Sequence, residues 1–446
     1  MQYSENMKNG NVGLLVIAVL ALTAAAWASS AKEIVIDRFD LPHDGIGPAS
    51  GLVLDANGNL YGTTRNGGTR GFGTVFELSP PAVPGGTWTE TVLYNFQSGS
   101  DGAFPVATLI FDATGNLYGT TLEGGAAAAC SSGCGTVFQL APPTGAGGTW
   151  TETILYKFAG GTDGALPSSS LVFDSAGNLY GTTAEGGKYT DGTVFQLTPP
   201  ASPGDAWTES LLHIFSGNPD GKQPVAGLLF DAQGNLYGTT QLGGKSKAGT
   251  VFKLHRTESG IWTERIIYNF AGGSDGSNPT GNLLLDKKGN LYSTTSLGGS
   301  GSCSFVGTTC GTVFQLTPPS TSGDPWTETV LYSFQGLDGD FPESALVFDK
   351  LGNLFGTTVA GGSGPCTLNS VLVGCGSVFQ LTPPATAGDP WTENVLYSFL
   401  GDPDDGANPL GAVVFGTKGG ALFGTTSAGG HHTASTGTVF ELGPVP

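Results

Sequence analysis

The stretch that decides the fold is Gly58-Asn59-Leu60-Tyr61-Gly62-Thr63-Thr64. It recurs six times with at most two substitutions, starting at Gly115, Gly177, Gly234, Gly289, Gly352 and Gly420. Successive copies start 57, 62, 57, 55, 63 and 68 residues apart. Internal repeats of about this length are the signature of a repeat architecture, in which each unit buries its apolar face against its neighbours.

Each repeat unit contains four short runs that are typical of β-strands. In the first unit they are Leu52–Asp55, Leu60–Thr64, Gly73–Leu78 and Trp88–Phe96. A turn containing Gly58 joins the first two runs, and glycine is favoured where a hairpin turn needs a positive φ. The first run is apolar on both faces, which predicts a buried inner strand.

The fourth run alternates between apolar and polar residues, which predicts a half-exposed outer strand. On a regular strand the alternation defines two opposite faces. They comprise Trp88, Val92, Tyr94 and Phe96 on one side, and Thr89, Thr91 and Asn95 on the other.

The two ends of the chain complete one unit between them. The seventh unit stops after its third run, Gly437–Leu442, and Ala31–Phe39 aligns with the missing fourth run, with Glu33 and Phe39 in matching places. An N-terminal strand that completes the last unit closes a ring and removes exposed sheet edges. The sequence therefore predicts an all-β, seven-bladed β-propeller with four-stranded antiparallel blades.

The N-terminus has the pattern of a secretory signal peptide, predicted as residues 1–28. Lys8 precedes an apolar run, Val12–Ala28, that ends in the small-residue cleavage pattern Ala26-Trp27-Ala28. The run has 17 residues, which is short for a membrane helix. We expect a secreted or periplasmic protein with no membrane span in the mature chain and a single propeller domain over residues 29–446.

The charge balance excludes several kinds of partner. A net charge of −19 argues against binding to nucleic acid, whose phosphates must be neutralised by basic residues, and against binding to an anionic membrane surface. No metalloprotease motif is present in the sequence. We therefore expect no nucleic-acid partner and no cofactor, and we expect a monomer.

The cysteines form three local pairs, and the second member of each precedes the glycine of a third run. We predict three disulfides, in keeping with an oxidising compartment: Cys130–Cys134, Cys303–Cys310 and Cys366–Cys375. The segments between the second and third runs have 8, 13, 8, 8, 15, 17 and 10 residues, and the three longest carry these pairs.

Four linked motifs recur in fixed order: GNLYGTT, GTVFxL followed by Thr-Pro or Ser-Pro, WTExVLYxF and DGxxP. In this order they resemble the GloVer tandem repeat of bacterial proteins described as choice-of-anchor tandem-repeat proteins. The resemblance covers nearly the whole chain after the signal peptide. It implies a surface or exported protein and carries over no catalytic residues. Gly443–Pro446 lacks an apolar tail or basic cluster, so we expect free secretion or periplasmic residence instead of anchoring.

Every connection from a fourth run to the next first run carries Asp-Gly-x-x-Pro. One interpretation is a ring of carboxylates that binds cations or polyhydroxylated ligands. The other is turn chemistry, in which Asp caps the backbone, Gly takes positive φ and Pro fixes the exit. We favour the second because functional sites break symmetry. The seven residues are Asp44, Asp101, Asp163, Asp220, Asp275, Asp338 and Asp405.

Other polar residues supply weaker candidates. His43, His431 and His432 lie in connections that ring closure makes neighbours, and with Asp44 they form a candidate metal site, set against the alternative of a solvated surface pair. Carboxylates that could serve acid–base chemistry are Asp340 and Glu343, or Asp404 and Asp405, although spacing alone does not show that they face each other. The Tyr-Gly-Thr-Thr runs are interpreted as packing, with Gly allowing close approach and Thr filling strand positions.

The leading functional hypothesis is an exported binding or interaction module. Its ligand would be a glycan or a cell-surface protein, held on the face that carries the disulfide loops. The alternatives are a carbohydrate-active hydrolase or lyase with non-repeating carboxylates near the central channel, and a passive envelope protein. A cluster of such carboxylates at the centre would favour the enzyme.

Overall fold

The computed structural model describes residues 32–445 except 40–42, 84, 146, 203, 304–308, 322, 369, 387, 402, 418–419 and 431–434. The predicted signal peptide, residues 1–28, lies outside the described residues. Within the described ranges, no helix is both long enough and apolar enough to cross a membrane.

The described strands form seven antiparallel sheets, which are the blades of a seven-bladed propeller. The inner strands are Val53–Leu54, Ile110–Phe111, Val172–Phe173, Leu229–Phe230, Leu284–Leu285, Val347–Phe348 and Val414–Phe415. The second strands are Leu60–Thr64, Leu117–Thr121, Leu179–Thr183, Leu236–Thr240, Leu291–Leu297, Leu354–Thr358 and Leu422–Thr426. The third strands are Thr74–Ser79, Thr136–Ala141, Thr193–Thr198, Thr250–Arg256, Thr312–Thr317, Ser377–Thr382 and Thr438–Gly443. The outer strands of blades 1 to 7 are Thr89–Asn95, Thr151–Lys157, Thr208–Ile214, Trp262–Asn269, Thr327–Ser333, Thr392–Ser398 and Lys32–Arg38.

The predicted ring closure is confirmed. Lys32–Arg38 pairs antiparallel with Thr438–Gly443, so that Lys32 lies opposite Gly443 and Arg38 opposite Thr438. The N-terminal strand is thus the outer strand of blade 7. The inner strands are shorter than predicted, because only two residues of each apolar run pair with the second strand.

Antiparallel order gives the ring two faces. The turns between inner and second strands and the connections between third and outer strands emerge on one face, called the turn face. The loops between second and third strands and the connections between blades emerge on the other, called the loop face. Short strand pairs join these two kinds of segment on the loop face: Gly102–Ala103 with Glu123–Gly124, Gly164–Ala165 with Glu185–Gly186, Gly221–Lys222 with Leu242–Gly243, and Gly406–Ala407 with Ala428–Gly429.

Three further elements complete the loop face. Ser277–Pro279 pairs with the second strand of blade 5, and Thr367–Leu368 pairs with Val371–Leu372 within one loop. Gly273–Asp275 forms a short 3₁₀ helix.

The hydrophobic core consists of layers between neighbouring blades. One layer contains Val75 and Phe96 of blade 1 against Phe138 and Leu140 of blade 2, all fully buried. Phe96 and Phe138 meet edge to face, with 5.2 Å between their ring centroids. Such aromatic pairs add about 0.5–1.5 kcal/mol beyond the area they bury.

A β-bulge corrects the predicted faces of the outer strand. In blade 1, Val75 pairs with Tyr94 but Phe76 pairs with Val92, so Leu93 is an extra residue. The same shift occurs in all seven blades. A one-residue bulge moves the following side chains to the opposite face. Trp88 and Val92 therefore do not share a face with Tyr94 and Phe96, as the alternation had predicted.

The second glycine and the last threonine of the GNLYGTT repeat are packed in the interior of the blade. A Cβ on Gly62 would lie 2.6 Å from the ring of Phe76, so a side chain there would force that ring to move. Thr64 is fully buried, and its hydroxyl lies 2.8 Å from that of Thr74 on the third strand. Gly58 has φ +89°, as the hairpin turn requires.

Candidate functional site

On the loop face, the repeated aspartates are bound into the connections that they begin. Asp101 accepts hydrogen bonds at Oδ2 from the Tyr94 hydroxyl (3.1 Å) and the Gln97 backbone N–H (2.9 Å), and at Oδ1 from the Gly102 N–H (2.7 Å). Asp163 and Asp405 have the equivalent tyrosine and backbone donors. These carboxylates hold the turn and tie it to the outer strand.

The turn chemistry differs from the prediction in one respect. Gly45, Gly276 and Gly339 have the predicted positive φ, but the other four glycines of the motif do not. The residue before the proline has it in those four connections, as in Phe104 (φ 58°) and Leu166 (φ 56°). The glycine is required for a different reason, because a Cβ on Gly102 would lie 2.5 Å from the Thr121 side chain.

The three predicted disulfides are present, with Cα–Cα distances of 5.3, 5.4 and 5.0 Å. The second cysteine of each pair is fully buried beneath the next connection between blades. The Leu166 N–H donates to the Cys134 carbonyl at 2.9 Å, and the Asn408 N–H donates to the Cys375 carbonyl at 2.8 Å. Each disulfide therefore fixes a loop at the point where the following connection crosses it.

The predicted histidine site stays a prediction. His43 is exposed on the loop face. His431 and His432 lie outside the described residues.

Residues from all seven blades line a central channel with a cavity of about 350 Å³. Its polar lining is mainly small: Asn282 donates to Ser170 Oγ at 3.1 Å and accepts from the Gly227 N–H at 2.6 Å. Glu343 is the one carboxylate among the described residues that line it. Burial raises the pKa of Glu343.

The carboxylate pairs considered from the sequence have different surroundings. Asp340 is 2% exposed and lies beside the Cys303–Cys310 disulfide, where burial raises its pKa to about 7. It does not line the channel with Glu343. Asp404 is exposed, whereas its neighbour Asp405 is buried and bound to Tyr397. In neither pair, Asp340 with Glu343 or Asp404 with Asp405, do the two carboxylates share a site where one could act as acid and the other as base.

Each blade junction carries a further acidic residue, the glutamate of the WTE motif. Glu152 of blade 2 lies beside Asp101 and Tyr94 of blade 1. Burial, and after it the charge of Asp101, raises the pKa of Glu152 to about 7. Its Oε1 is buried without a hydrogen-bond partner among the described residues. The same is true of that oxygen in Glu33, Glu90, Glu209, Glu264, Glu328 and Glu393.

The turn face has a cleft of about 580 Å³ between blades 4 and 5, which we call the cationic cleft. Its basic side chains are those of Lys253, Arg265, Lys287 and Lys288, and two aromatic rings, Tyr237 and Trp326, form its wall. The rings meet edge to face with 6.1 Å between centroids.

Lys253 is held within the cleft by two contacts. Its Nζ lies 5.1 Å from the centroid of the Tyr237 ring and 3.9 Å from Asp231 Oδ2. The Lys287 and Lys288 side chains are exposed.

Three carboxylates also line the cleft, and two of them belong to turns. Asp286 accepts hydrogen bonds from the Lys288 N–H (2.8 Å), the Asn290 amide (2.7 Å) and the Tyr292 hydroxyl (3.1 Å). Asp231 has the same kind of turn contacts, and Asp324 is exposed. The cleft thus has four basic and three acidic groups in a chain of net charge −19.

The comparison with protein families settles the relationship of the repeats. The model of the Gloeobacter/Verrucomicrobia repeat matches residues 26–206 and 202–440. The chain belongs to this family. The match confirms the resemblance that the four motifs indicated. No curated protein matches the chain.

Solved structures resemble the chain at low sequence identity. One is a protein of unknown function from Dyadobacter fermentans DSM 18053, 12% identical with a TM-score of 0.43, covering 92% of this chain and 98% of that one. A second is an ulvan lyase of polysaccharide lyase family PL25, 10% identical with a TM-score of 0.48, covering 91% and 96%. A third is a candidate 6-phosphogluconolactonase from Bacteroides uniformis ATCC 8492, 14% identical with a TM-score of 0.46, covering 75% and 81%.

The cationic cleft was missed from the sequence, although the aligned repeats of this family contain a signal for it. The strand position of Lys253 is occupied elsewhere by Glu or Gln, and that of Arg265 by Thr, Ser, Asn or Ile. Lys287-Lys288 stands where blades 1 to 4 have two uncharged residues. Comparing each position across the seven units would have shown this break in symmetry.

Proposed function

We propose that this protein is an exported carbohydrate-binding module that takes acidic polysaccharide in the cationic cleft. The observation that carries the proposal is the placing of Lys253, Arg265, Lys287 and Lys288 around the Tyr237 and Trp326 rings. Aromatic rings offer a flat apolar surface to a sugar ring, and basic side chains pair with its carboxylate or sulfate groups. The three disulfides are in keeping with an oxidising compartment outside the cytoplasm.

The distribution of charge supports an anionic ligand. Five of the 17 Lys and Arg residues lie within residues 253–288, in parts of blades 4 and 5: Lys253, Arg256, Arg265, Lys287 and Lys288. These basic residues attract an anion locally, whereas the rest of the surface, which is acidic, repels it.

The channel gives less support to the alternative of a hydrolase or lyase. General acid–base chemistry on a glycosidic bond uses two positioned groups. The described channel lining offers Glu343 alone among carboxylates. We therefore place the proposed ligand on the turn face instead of at the centre, and instead of on the loop face that the sequence had favoured.

The test is a binding titration with acidic polysaccharides such as polygalacturonate and chondroitin sulfate, and with a neutral β-glucan for comparison. We expect the acidic polymers to bind, with affinity falling as salt rises. The double variant Lys287→Glu/Lys288→Glu should weaken binding by at least about tenfold, which corresponds to about 1.4 kcal/mol. Trp326→Ala should weaken it independently of salt.

Two control variants match these changes elsewhere on the ring. Lys245→Glu/Lys247→Glu makes the same charge change on an exposed loop of the opposite face, and Trp150→Ala removes the equivalent tryptophan of blade 2. Both should bind like the wild type. Equal loss in the controls, or equal binding of the neutral glucan, would refute the proposal. New reducing ends in any incubation would support the enzyme alternative.

A further inference from the structure

Two of the seven blade junctions lack the tyrosine found at the other five, and one of these two carries a histidine. At five junctions a tyrosine hydroxyl donates to the repeated aspartate, from Tyr94, Tyr156, Tyr268, Tyr332 and Tyr397. The aligned residue in the N-terminal strand is Asp37. Between blades 3 and 4 the aligned residue is His213, so an imidazole ring replaces the phenol.

The substitution brings three metal-binding side chains together. His213 Nε2 lies 3.2 Å from Asp220 Oδ2. One ring nitrogen of His213 and one carboxylate oxygen each from Asp220 and Glu264 all lie within 4.8 Å of one another. His213 is on the outer strand of blade 3, Asp220 in the connection that follows it, and Glu264 on the outer strand of blade 4.

The surroundings orient the Asp220 carboxylate and leave one oxygen of Glu264 without a donor. The Gly221 N–H donates to Asp220 Oδ1 at 2.8 Å and the Ser216 N–H donates to Oδ2 at 3.1 Å, which orients the carboxylate. Glu264 Oε1 is buried and has no hydrogen-bond partner among the described residues. The side chains of His213 and Asp220 are 21% and 17% exposed, so water can reach the group.

We propose that His213, Asp220 and Glu264 form a binding site for one divalent transition-metal ion of the Zn²⁺ type. One imidazole nitrogen and two carboxylate oxygens are ligands that Zn²⁺ and Mn²⁺ accept, with water in the remaining positions. Donor atoms around a tetrahedral Zn²⁺ are about 3.3 Å apart, given bonds of about 2.0–2.1 Å. The His213–Asp220 pair already has that spacing. A bound ion would also join the outer strands of blades 3 and 4.

The tyrosine junctions explain why the site is confined to one place. A phenol must lose its proton to become a strong ligand, and burial together with the neighbouring aspartate raises the pKa of Tyr156. A neutral imidazole binds without that cost. The described residues contain one other group of this kind, Cys303, Cys310 and Asp340, but its two sulfurs are bonded to each other.

The test uses mature protein without a histidine tag, first freed of metal by chelation and then titrated with ZnCl₂ and MnCl₂. We expect one equivalent of Zn²⁺ by calorimetry and elemental analysis, and a higher melting temperature with the ion. Cobalt substitution should give the visible absorption of Co²⁺ bound to nitrogen and oxygen ligands. Absence of binding by either metal at micromolar concentrations would overturn the proposal.

Two substitutions use the repeats as matched controls. His213→Tyr restores the residue found at five other junctions, so it should fold, lose the bound equivalent and lose the thermal shift. Tyr156→His should create a second site with Asp163 and Glu209, raising the stoichiometry from one to two. Glu264→Gln should also lose the ion and serves if His213→Tyr does not fold.

The result that contradicts the site is equally specific. Unchanged Zn²⁺ binding in both His213→Tyr and Glu264→Gln would overturn it. Loss of binding in a His43→Ala/His431→Ala/His432→Ala variant, with His213→Tyr unaffected, would place the ion at the histidine group expected from the sequence instead.

Discussion

Trp150 of blade 2 lies edge to face against Tyr61 of blade 1, with 6.3 Å between the ring centroids and 61° between the ring planes. Equivalent pairs join Tyr180 to Trp262 and Tyr237 to Trp326. At the junction of blades 6 and 7 the residue that aligns with the tryptophan in the sequence is Ala31, which lies outside the described residues. There the turn face has a pocket of about 610 Å³, lined by Phe348, Phe355 and Phe415, with Val445 at its edge.

We predict that Ala31→Trp stabilises the protein by filling this pocket. Burying a large aromatic side chain against Phe355 and Phe415 should add about 1–2 kcal/mol to the free energy of unfolding. The measurement is chemical denaturation of protein produced without residues 1–28, so that signal processing does not interfere. Ala31→Gln is the control, because it adds volume without an apolar ring. Equal stabilisation by both variants would show that the pocket is not responsible.

The hydrogen bond between Tyr94 and Asp101 should contribute to stability even though the phenol is only half-buried. Tyr94→Phe removes the donor and leaves the ring in place, so we predict a loss of about 1 kcal/mol in the free energy of unfolding. Tyr189→Phe, at a residue 49% exposed, is the control and should be neutral. If the two variants unfold alike, the bond adds nothing to the stability of the junction.

The junction glutamates predict that the protein is more stable in mild acid than in mild base. Their unfolded pKa is 4.5, and burial raises the folded pKa to about 7 in Glu152 and about 8 in Glu90. A raised folded pKa contributes stability that is complete below pH 4.5 and is lost as the pH rises through 7 to 8. Urea denaturation at pH 5.5 and 8.5 should therefore give the larger free energy of unfolding at pH 5.5.

A single variant separates this effect from the general repulsion of an acidic chain. Glu152→Gln should stabilise the protein at pH 8.5 and change little at pH 5.5. Glu258→Gln removes the same charge from an exposed turn and is the control. At the opposite end of the scale, hydrogen bonds from Asn116 and Thr114 outweigh burial and hold the pKa of Asp112 below 3.8. That contribution is lost only as the pH falls through the lowered pKa.

Reduction of the disulfides should loosen three loops without opening the ring. The bonds close segments of 4, 7 and 9 residues, for which the chain-entropy model gives about 2–3 kcal/mol each. We predict a lower melting temperature in reductant with unchanged far-ultraviolet circular dichroism at 25 °C. Proteolysis should then cut first near residues 122–134, 296–310 and 359–375. Loss of the β-sheet signal on reduction would show that the disulfides are needed for the whole fold and contradict this prediction.

The repeat made the architecture predictable, because Leu60 to Thr64 and its copies predict the same local structure seven times. The fourth run of the last unit is supplied by Ala31–Phe39 at the start of the chain, which predicts a closed ring. The bulge at Leu93 was not predictable, because the alternation of apolar and polar residues is the same as in a regular strand without a bulge. Aromatic residues also occur on both faces of the outer strand. Glu152 was overlooked because a glutamate in an outer strand normally faces water. Its environment comes from Asp101 and Tyr94 on another blade.

The cationic cleft depends on contacts between units, and this explains why sequence motifs did not show it. Tyr237 and Lys253 come from blade 4, and Trp326 from blade 5, 89 positions after Tyr237. Trp326 belongs to the same WTE motif as Trp150, so nothing local distinguishes it. What distinguishes it is the presence of Lys287 and Lys288 in the same cleft. Aligned repeats show these lysines as a break in symmetry, but only the packing of blades 4 and 5 brings them to Trp326.

The pairing of Lys32–Arg38 with Thr438–Gly443 has a consequence for how the chain folds. The two strands are separated by roughly 400 positions, so the first strand to be synthesised must wait for the last before it finds its partner. Until the two strands of one molecule have paired, its Thr438–Gly443 can accept the N-terminal strand of another molecule, which would link molecules head to tail. Concentration during refolding should therefore decide between closed monomers and open chains of linked rings.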